Sequence, residues 1–339
     1  MSSYNLAVVG ATGLVGGKIL KVLEERNFPL SKLKLLASAR SVGKKIKFKG
    51  EEYSVEETTF SSFSGLEIAL FASAEAASDR FGWEAVKRGA VVIDNSNTFR
   101  MDPKVPLIVP EVNPQALKRH QGLIANPNCS TIQMVVALYP LHKAAKIKRI
   151  VVSTYQAVSG WGTLANEELK EQTEDIVKGR APKVNSKIFP YQIAFNVIPQ
   201  VDKFLSSGYT KEEQKMVQET RKIMEDDNIK VSATCVRVPV HVSHSEAVNI
   251  ETEKKLKVDE VREILKKAPG VAVIDEVEDL KYPLPLEAAG RDEVFVGRIR
   301  EDETIERGLN LWIVSDNLLK GAALNAVQIA EEMIKMRLV

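Results

Sequence analysis

Cysteine is almost absent from this chain: Cys129 and Cys235 are the only two among 339 residues. So few thiols exclude a disulfide framework and point to a reducing, cytoplasmic compartment. Long apolar runs are missing as well. None approaches the roughly 18 residues that a membrane span needs, and Met1 to Asn5 lead straight into a strand-like segment without a signal-peptide pattern. Neither sign of charge dominates. Lys plus Arg number 47 against 45 for Asp plus Glu, a net charge of +2, and no basic block suggests nucleic acid. No CxxC or HxxxH spacing occurs, so no metal site is expected. Repeats and low-complexity tracts are also lacking. What is left is a soluble chain long enough for two cores.

One of the two cysteines lies where chemistry is expected. Asn126, Pro127, Asn128, Cys129, Ser130 and Thr131 precede an apolar run, Ile132, Met134, Val135, Val136 and Leu138, spaced as in a buried helix. Pro127 disfavours helical geometry at Asn126, and Asn128 and Ser130 are capping residues. The helix is therefore predicted to start within a residue or two of Cys129. Backbone N–H groups and the positive dipole end there favour thiolate over thiol, which makes Cys129 a candidate nucleophile. Most such cysteines are small buried hydrophobes. Here the polar, turn-forming neighbours are poor core material and tip the balance toward chemistry.

Asn5 to Val9 reads as a strand, Gly10 to Gly16 as a glycine turn and Lys18 to Arg26 as a helix. The glycines at 10, 13 and 16 give GxxGxxG rather than GxGxxG. Strand and helix flank them correctly, however, so binding of a dinucleotide pyrophosphate is favoured over a bare tight turn. The next strand, Leu33 to Ala37, ends in Ser38, Ala39, Arg40 and Ser41, where an acidic residue would hold the ribose of NAD. An arginine between serines suits a 2′-phosphate, so NADP is expected, against the alternative of a solvated basic loop running to Lys44 and Lys45.

Leu66 to Ser73 and Ala90 to Asp94 read as further buried strands separated by a helix through Trp83 to Lys87. The alternation implies an α/β fold with a Rossmann-type doubly wound parallel sheet. The polar loop from Asp94 to Arg100 leaves a strand's carboxyl end, where such sheets bind ligands. After the cysteine helix the pattern changes. Arg149 to Ala157 is strand-like, Ser159 to Gly162 a turn, Leu164 to Lys178 a charged helix, and 180–209 irregular. Thr210, with Glu213 three residues on, opens an amphipathic helix running to Asp227. Strands at 229–239, 245–251, 293–300 and 309–315, with a helix at 258–267, predict a second α+β domain whose mixed sheet carries helices on one face. Residues 316–339 are helical and return to the first domain.

Partners for Cys129 are less sharply marked. His120 and His142 have no motif around them, whereas His241 and His244 lie in RVPVHVSHSE at 237–246. Three apart on an extended segment, these two point to opposite faces and share no metal. Either is a candidate acid–base partner for acyl chemistry, and the spacing does not choose between them. Cys235, in an apolar strand, reads as structural. Glu219 and Lys222 would share a helix face, and spacing alone reads them as a solvated ion pair.

Taken in order, GATGLVG at 10–16, LASARSVGK at 36–44, DNSNTFRM at 94–101, VPEVN at 109–113, NPNCST at 126–131, TYQAVSG at 154–160, RVPVHVSHSE at 237–246, YPLPLEAAGRDEVFVGRIRED at 282–302 and SDNLLKGAALNA at 315–326 resemble the bacterial aspartate-semialdehyde dehydrogenases over essentially the whole chain. The resemblance implies an NADP-dependent reductive dephosphorylation of 4-phospho-L-aspartate to aspartate 4-semialdehyde in the biosynthesis of lysine, threonine, methionine and isoleucine. It implies Cys129 as the thioester nucleophile, His244 as the acid–base group and Gln156 as a substrate-orienting residue. Arg237 would hold the substrate carboxylate, Glu219 its amino group, and Arg100, Asn128 and Lys222 the phosphate. Cofactor contacts would come from Gly10, Thr12, Gly13, Leu14, Val15, Arg40, Ser41, Ser159, Gly160 and Asn317.

The same resemblance implies an NADP-binding domain of residues 1–128 completed by the helix at 316–339. A catalytic and dimerisation domain at 129–315, like the C-terminal domain of glyceraldehyde-3-phosphate dehydrogenase, would form a homodimer or homotetramer. Trp161 departs from the family, whose members usually carry a small residue there. An N-acetyl-γ-glutamyl-phosphate reductase-like enzyme and a non-catalytic homologue are the alternatives; NPNCST and the retained Cys129, Gln156, Arg237 and His244 argue against both.

Overall fold

The computed structural model describes residues 3–182 and 188–339, so Met1, Ser2 and part of the irregular stretch at 180–209 lie outside the described residues. The chain forms two compact units. One holds the residues up to Asn128 together with Ala322–Val339, and the other holds Cys129–Gly321. The second unit thus runs on past 315 to Gly321. Asp316 is part of the reason: its carboxylate accepts the backbone N–H groups of Leu318 (2.8 Å) and Gly290 (2.8 Å), both within that unit.

The first unit is built on β1 (Tyr4–Val9), α1 (Leu14–Glu25), β2 (Leu30–Ala37), β3 (Lys45–Phe48), β4 (Glu51–Glu57), β5 (Ile68–Phe71), α2 (Glu75–Lys87), β6 (Val91–Asp94) and β7 (Leu123–Ala125). Their order is β3-β4-β2-β1-β5-β6-β7, parallel throughout except for β3, which pairs antiparallel with β4 at the edge. β5, β6 and β7 are almost wholly apolar and buried, as strands covered on both faces must be. β1 lies between β2 and β5, so the order reverses beside the glycine turn that follows it, the switch point at which open α/β sheets bind ligands. The C-terminal helix, Leu324–Lys335, packs on α1, β5 and β6. Its Glu331 takes both Nε (2.8 Å) and Nη2 (2.7 Å) of Arg26.

The second unit contains α3 (Cys129–Ala145), β8 (Ile147–Gln156), α4 (Thr163–Val177), α5 (Lys211–Met224), β9 (Lys230–Arg237), β10 (His244–Thr252), α6 (Val258–Lys266), β11 (Val271–Val273), β12 (Val294–Asp302) and β13 (Gly308–Ser315). Its sheet runs β11-β12-β13-β10-β8-β9 and is mixed, with parallel pairs at both ends and antiparallel pairs between. α3 is buried without a break from Ser130 to Leu138, the pattern of a helix enclosed on all sides. It packs on β8, β10, β12 and β13 and is flanked by α5 and α6. α5 begins with a reciprocal capping box: the Glu213 carboxylate accepts the Thr210 N–H at 2.6 Å, and Thr210 Oγ1 accepts the Glu213 N–H at 3.3 Å.

Candidate active site

Strand register assembles the site. His244, the first residue of β10, pairs with Ser315 on β13. The register that pairs Ser245 with Tyr155 sets Gln156 opposite His244, and Gln156 pairs in turn with Arg237 on β9. Residues directly opposite one another share a face, so Ser315, His244, Gln156 and Arg237 form one transverse row across four strands. Alternation along each strand places a second row behind it, made of Ile313, Glu246, Thr154 and Cys235. α3 lies on β8, β10 and β13, and its first residue is Cys129 itself, half-buried and not in a disulfide. Cys129 is within electrostatic reach of the Arg237 guanidinium.

Three members of the first row, His244, Gln156 and Arg237, are held by hydrogen bonds. The Ala157 N–H donates to His244 Nδ1 at 2.9 Å, so in the neutral ring the proton sits on Nε2. Nε2 is buried and meets no hydrogen-bond partner among the described residues. Burial, and then the Arg237 charge, push this imidazole well below its ordinary pKa, so it is neutral at neutral pH. Gln156 accepts from Thr154 Oγ1 (3.1 Å) and donates to Glu212 Oε1 (3.1 Å), which fixes its amide. Arg237 donates to the Ala157 carbonyl at 2.6 Å, and its guanidinium lies 5.9 Å from the centre of the Trp161 ring. Beside it opens a cavity of about 170 Å³ lined by Trp161, Phe189, Gln200, Lys203 and Arg237.

Asn317 Oδ1 accepts from Ser159 Oγ (3.1 Å) and from the Ser243 N–H (2.9 Å), tying the turn after β8 to the one before β10. Gly160 comes so close to the row that a Cβ there would stand 3.1 Å from Arg237 Nη1 and 3.3 Å from His244 Nε2.

His241 is exposed and meets Asn166 Oδ1 at 3.0 Å, outside the row, so the structure separates two histidines that spacing left equivalent. Cys235 is buried among Met216 and neighbouring carboxyls, and burial pushes its thiol far up from the ordinary range. Glu219 corrects the reading of a solvated ion pair with Lys222. It lies on the buried face of α5 with no exposed surface, while Lys222 is half-buried one turn on.

In the first unit, Gly10 has φ of 85°, and a Cβ on it would strike the Ala72 carbonyl; one on Gly16 would strike the Gly10 carbonyl. Both glycines are thus required by the fold. Gly13 is not, since a Cβ there meets nothing closer than 3.4 Å. Leu14 and Val15 open α1, and Thr12 Oγ1 lies 3.3 Å from Ser41 Oγ, linking the glycine turn to the segment after β2. Arg40 is exposed on that segment's single 3₁₀ turn, Ala39–Ser41. Arg100 is buried and donates Nε to the Asn126 carbonyl (2.9 Å) and Nη2 to the Asn95 carbonyl (2.8 Å). Asn128, also buried, ends this unit.

Sequence reasoning missed Thr154, Glu212, the Ala157 backbone and Gly321, where a Cβ would come within 2.8 Å of Cys129 Cβ. Thr154 was within reach, because it stands two residues from Gln156 on a strand. Glu212, 56 positions away, left no signal.

A doubly wound sheet with this glycine turn takes a dinucleotide, and α3 with the row beneath it offers a thiol, a neutral imidazole and a buried cation to a small carbonyl compound. The class is that of the nicotinamide-dependent aldehyde oxidoreductases. Family models agree: residues 5–120 match "Semialdehyde dehydrogenase, NAD binding domain" and 138–320 match "Semialdehyde dehydrogenase, dimerisation domain". An aspartate-semialdehyde dehydrogenase of Aquifex aeolicus (strain VF5) is 58% identical over 340 residues, and one of Bacillus subtilis (strain 168) is 52% identical over 343, each alignment covering 99% of both chains. The crystal structure of aspartate semialdehyde dehydrogenase II from Vibrio cholerae complexed with ASA is 45% identical, covers 99% of both chains and superimposes with a TM-score of 0.95. The chain belongs to the aspartate-semialdehyde dehydrogenase family and is an oxidoreductase of that type.

Proposed function

We propose that this protein reduces 4-phospho-L-aspartate to L-aspartate 4-semialdehyde through a thioester on Cys129, with NADP(H) as cofactor. The carrying observation is the transverse row Ser315–His244–Gln156–Arg237 beneath the helix that Cys129 begins. Arg237 holds the substrate carboxylate with its planar fork, with the cavity beside Trp161 as the adjoining space. The Cys129 thiolate attacks the acyl-phosphate carbon, a tetrahedral oxyanion forms, and its collapse expels phosphate and leaves the thioester. A nicotinamide cofactor, when bound, would supply the hydride for reduction of the thioester carbon. The resulting thiohemiacetal oxyanion collapses to the aldehyde and returns the thiolate.

His244 serves both tetrahedral stages as a donor, because its proton is on Nε2 and its Nδ1 is occupied by the Ala157 N–H. Gln156, clamped by Thr154 and Glu212, orients the acyl group. Glu219 binds the substrate amino group, and Arg100, Asn128 and Lys222 carry the phosphate role. Gly13, free of any packing requirement, permits close approach of a pyrophosphate to the start of α1, with Gly10, Thr12, Leu14 and Val15 around it. Arg40 and Ser41 face the 2′-phosphate, and Ser159, Gly160 and Asn317 the nicotinamide end.

The description "dimerisation domain" and the half-exposed Tyr155 and Trp312 on the far face of the mixed sheet, their rings 5.4 Å apart, support self-association as a homodimer or dimer of dimers. No helix among the described residues is long and apolar enough to cross a membrane; we place the protein in the cytoplasm.

The test follows NADPH formation with aspartate semialdehyde, phosphate and NADP, beside NAD and a control without phosphate. Phosphate-dependent reduction of NADP is the expected result. Preference for the N-acetyl-glutamate aldehyde, or unchanged turnover in Cys129→Ala, overturns the reading. Arg40→Ala should raise KM for NADP about 10-fold or more and leave that for NAD unchanged.

A further inference from the structure

Glu246 is fully buried on β10, two residues from His244 and on the same face, yet the chemistry proposed above does not use it. Neither of its carboxyl oxygens meets a hydrogen-bond partner among the described residues. The polar group that bears on it is the amide of Gln133, itself buried and likewise without a hydrogen-bond partner among the described residues. Gln133 lies on α3, four residues after Cys129, and so on the same stripe of the helix one turn on.

The two elements step in register. Four residues of helix advance about 6 Å, and two residues of strand about 6.8 Å. Cys129 therefore stands to the row of His244 as Gln133 stands to the row of Glu246. α3 packs on β10.

We propose that Glu246 is a positioning residue: with Gln133 it forms a buried pair that sets the first turn of α3, and with it the Cys129 thiol, against the row of His244, Gln156 and Arg237. The proposal rests on the assignment of Cys129 as nucleophile. A helix sliding over a purely apolar sheet has no preferred register finer than its side-chain ridges, whereas one polar contact between two otherwise unsatisfied groups admits a single register. Burial without a counter-charge pushes the Glu246 carboxyl well above its ordinary range and favours the un-ionised acid, whose O–H and C=O are complementary to the carbonyl and N–H of the Gln133 amide. Glutamine at 246 reproduces that pairing without a titrating proton; leucine fills the volume and removes it.

The experiment compares Glu246→Gln and Glu246→Leu with the wild-type full-length enzyme. It reads kcat, KM, and the rate at which iodoacetamide alkylates Cys129, with buried Cys235 as the internal control. Glu246→Gln should stay within about 3-fold of wild type. Glu246→Leu should lose on the order of 10- to 100-fold in kcat, as a misplaced nucleophile does, with KM changed less than about 3-fold and alkylation slowed in parallel. Wild-type kcat in Glu246→Leu overturns the positioning role. Equal damage in both variants also overturns it, since an ionised carboxylate would then be what matters.

Gln133→Leu breaks the pair from the helix side and should reproduce the kcat loss; full activity there overturns the pairing even if Glu246→Leu fails to fold. In the wild-type protein at neutral pH, the infrared carbonyl band of a protonated carboxyl, absent from Glu246→Gln, is expected, and its lack overturns the un-ionised state. Cys129→Ser keeps the two readings apart. Retained activity there defeats the nucleophile assignment itself, whereas loss there together with an active Glu246→Leu defeats the positioning role alone.

Discussion

His244 shows how far one residue's behaviour depends on what surrounds it. An exposed histidine gains a proton near pH 6.5; here burial and the Arg237 charge lower that value. A lowered folded-state pKa keeps the ring neutral, with its Nε2 proton in place, as pH falls through 6.5. The profile of kcat/KM should therefore stay flat through the ordinary imidazole range and bend only well below it, whereas an acid limb centred near 6.5 would show a solvated ring. The same shift costs stability on the acid side. The unfolded chain takes up a proton below about pH 6.5 and the folded one does not, so the contribution is present above the unfolded value and is lost as pH falls toward the folded one.

Gly321 offers a second test at this scale. A methyl group there would sit 2.8 Å from Cys129 Cβ, closer than carbon atoms approach. Gly321→Ala should lower kcat on the order of 10- to 100-fold by displacing the thiol, with the Tm little changed and cofactor affinity retained. Unchanged kcat would mean that the π-helical turn Leu319–Ala323 yields instead. Cys129 was readable as a candidate from its turn-forming neighbours; Gly321, distant in sequence and one glycine among 19, was not.

At the scale of elements, α5 does more than cover β9. Its buried face carries Glu212, which holds Gln156, and Glu219, while its start depends on the Thr210–Glu213 capping box. Thr210→Ala should cost about 1 kcal/mol of stability, seen as a lower midpoint in urea. Because the frayed turn contains Glu212, KM should rise while the reactivity of Cys129 stays near wild type; a stability loss with unchanged KM would confine Glu212 to a structural part. The cap was legible because S/T-x-x-E is a local pattern. The β3–β4 hairpin was not: KIKF and EEYSVEE do alternate polar and apolar residues, but each offers only two apolar positions among charges, and charge at a sheet edge serves to block further pairing rather than to mark a strand.

Over the whole molecule, the sheet of the second unit has unlike faces. One carries the row of His244, Gln156 and Arg237 together with α3; the other carries Tyr155, Ala247 and Trp312, with a cavity of about 440 Å³ bordered by Tyr282, Leu284, Arg298 and Arg300. A half-exposed aromatic pair rimmed by arginines has the composition of a protein–protein interface. Trp312→Asp should shift the sedimenting species toward monomer in a concentration-dependent way, and an unchanged sedimentation coefficient would remove this face from the interface.

What the sequence determined by itself was local or periodic: the strand–glycine–helix opening, the cysteine at a helix start, the capped helix at 210, and the change from alternating α/β to a mixed sheet. Each follows from residues within a turn or two of one another. Tertiary structure alone decided which histidine joins the row of Gln156 and Arg237, that Glu219 is enclosed rather than solvated, and that Gly321 abuts Cys129. Those outcomes depend on strand register and on contacts between elements far apart in sequence, such as Ala157 with His244, 87 residues away, and Gln156 with Glu212 on α5, 56 away. Register is set by the fit of whole faces, which no short stretch of sequence contains.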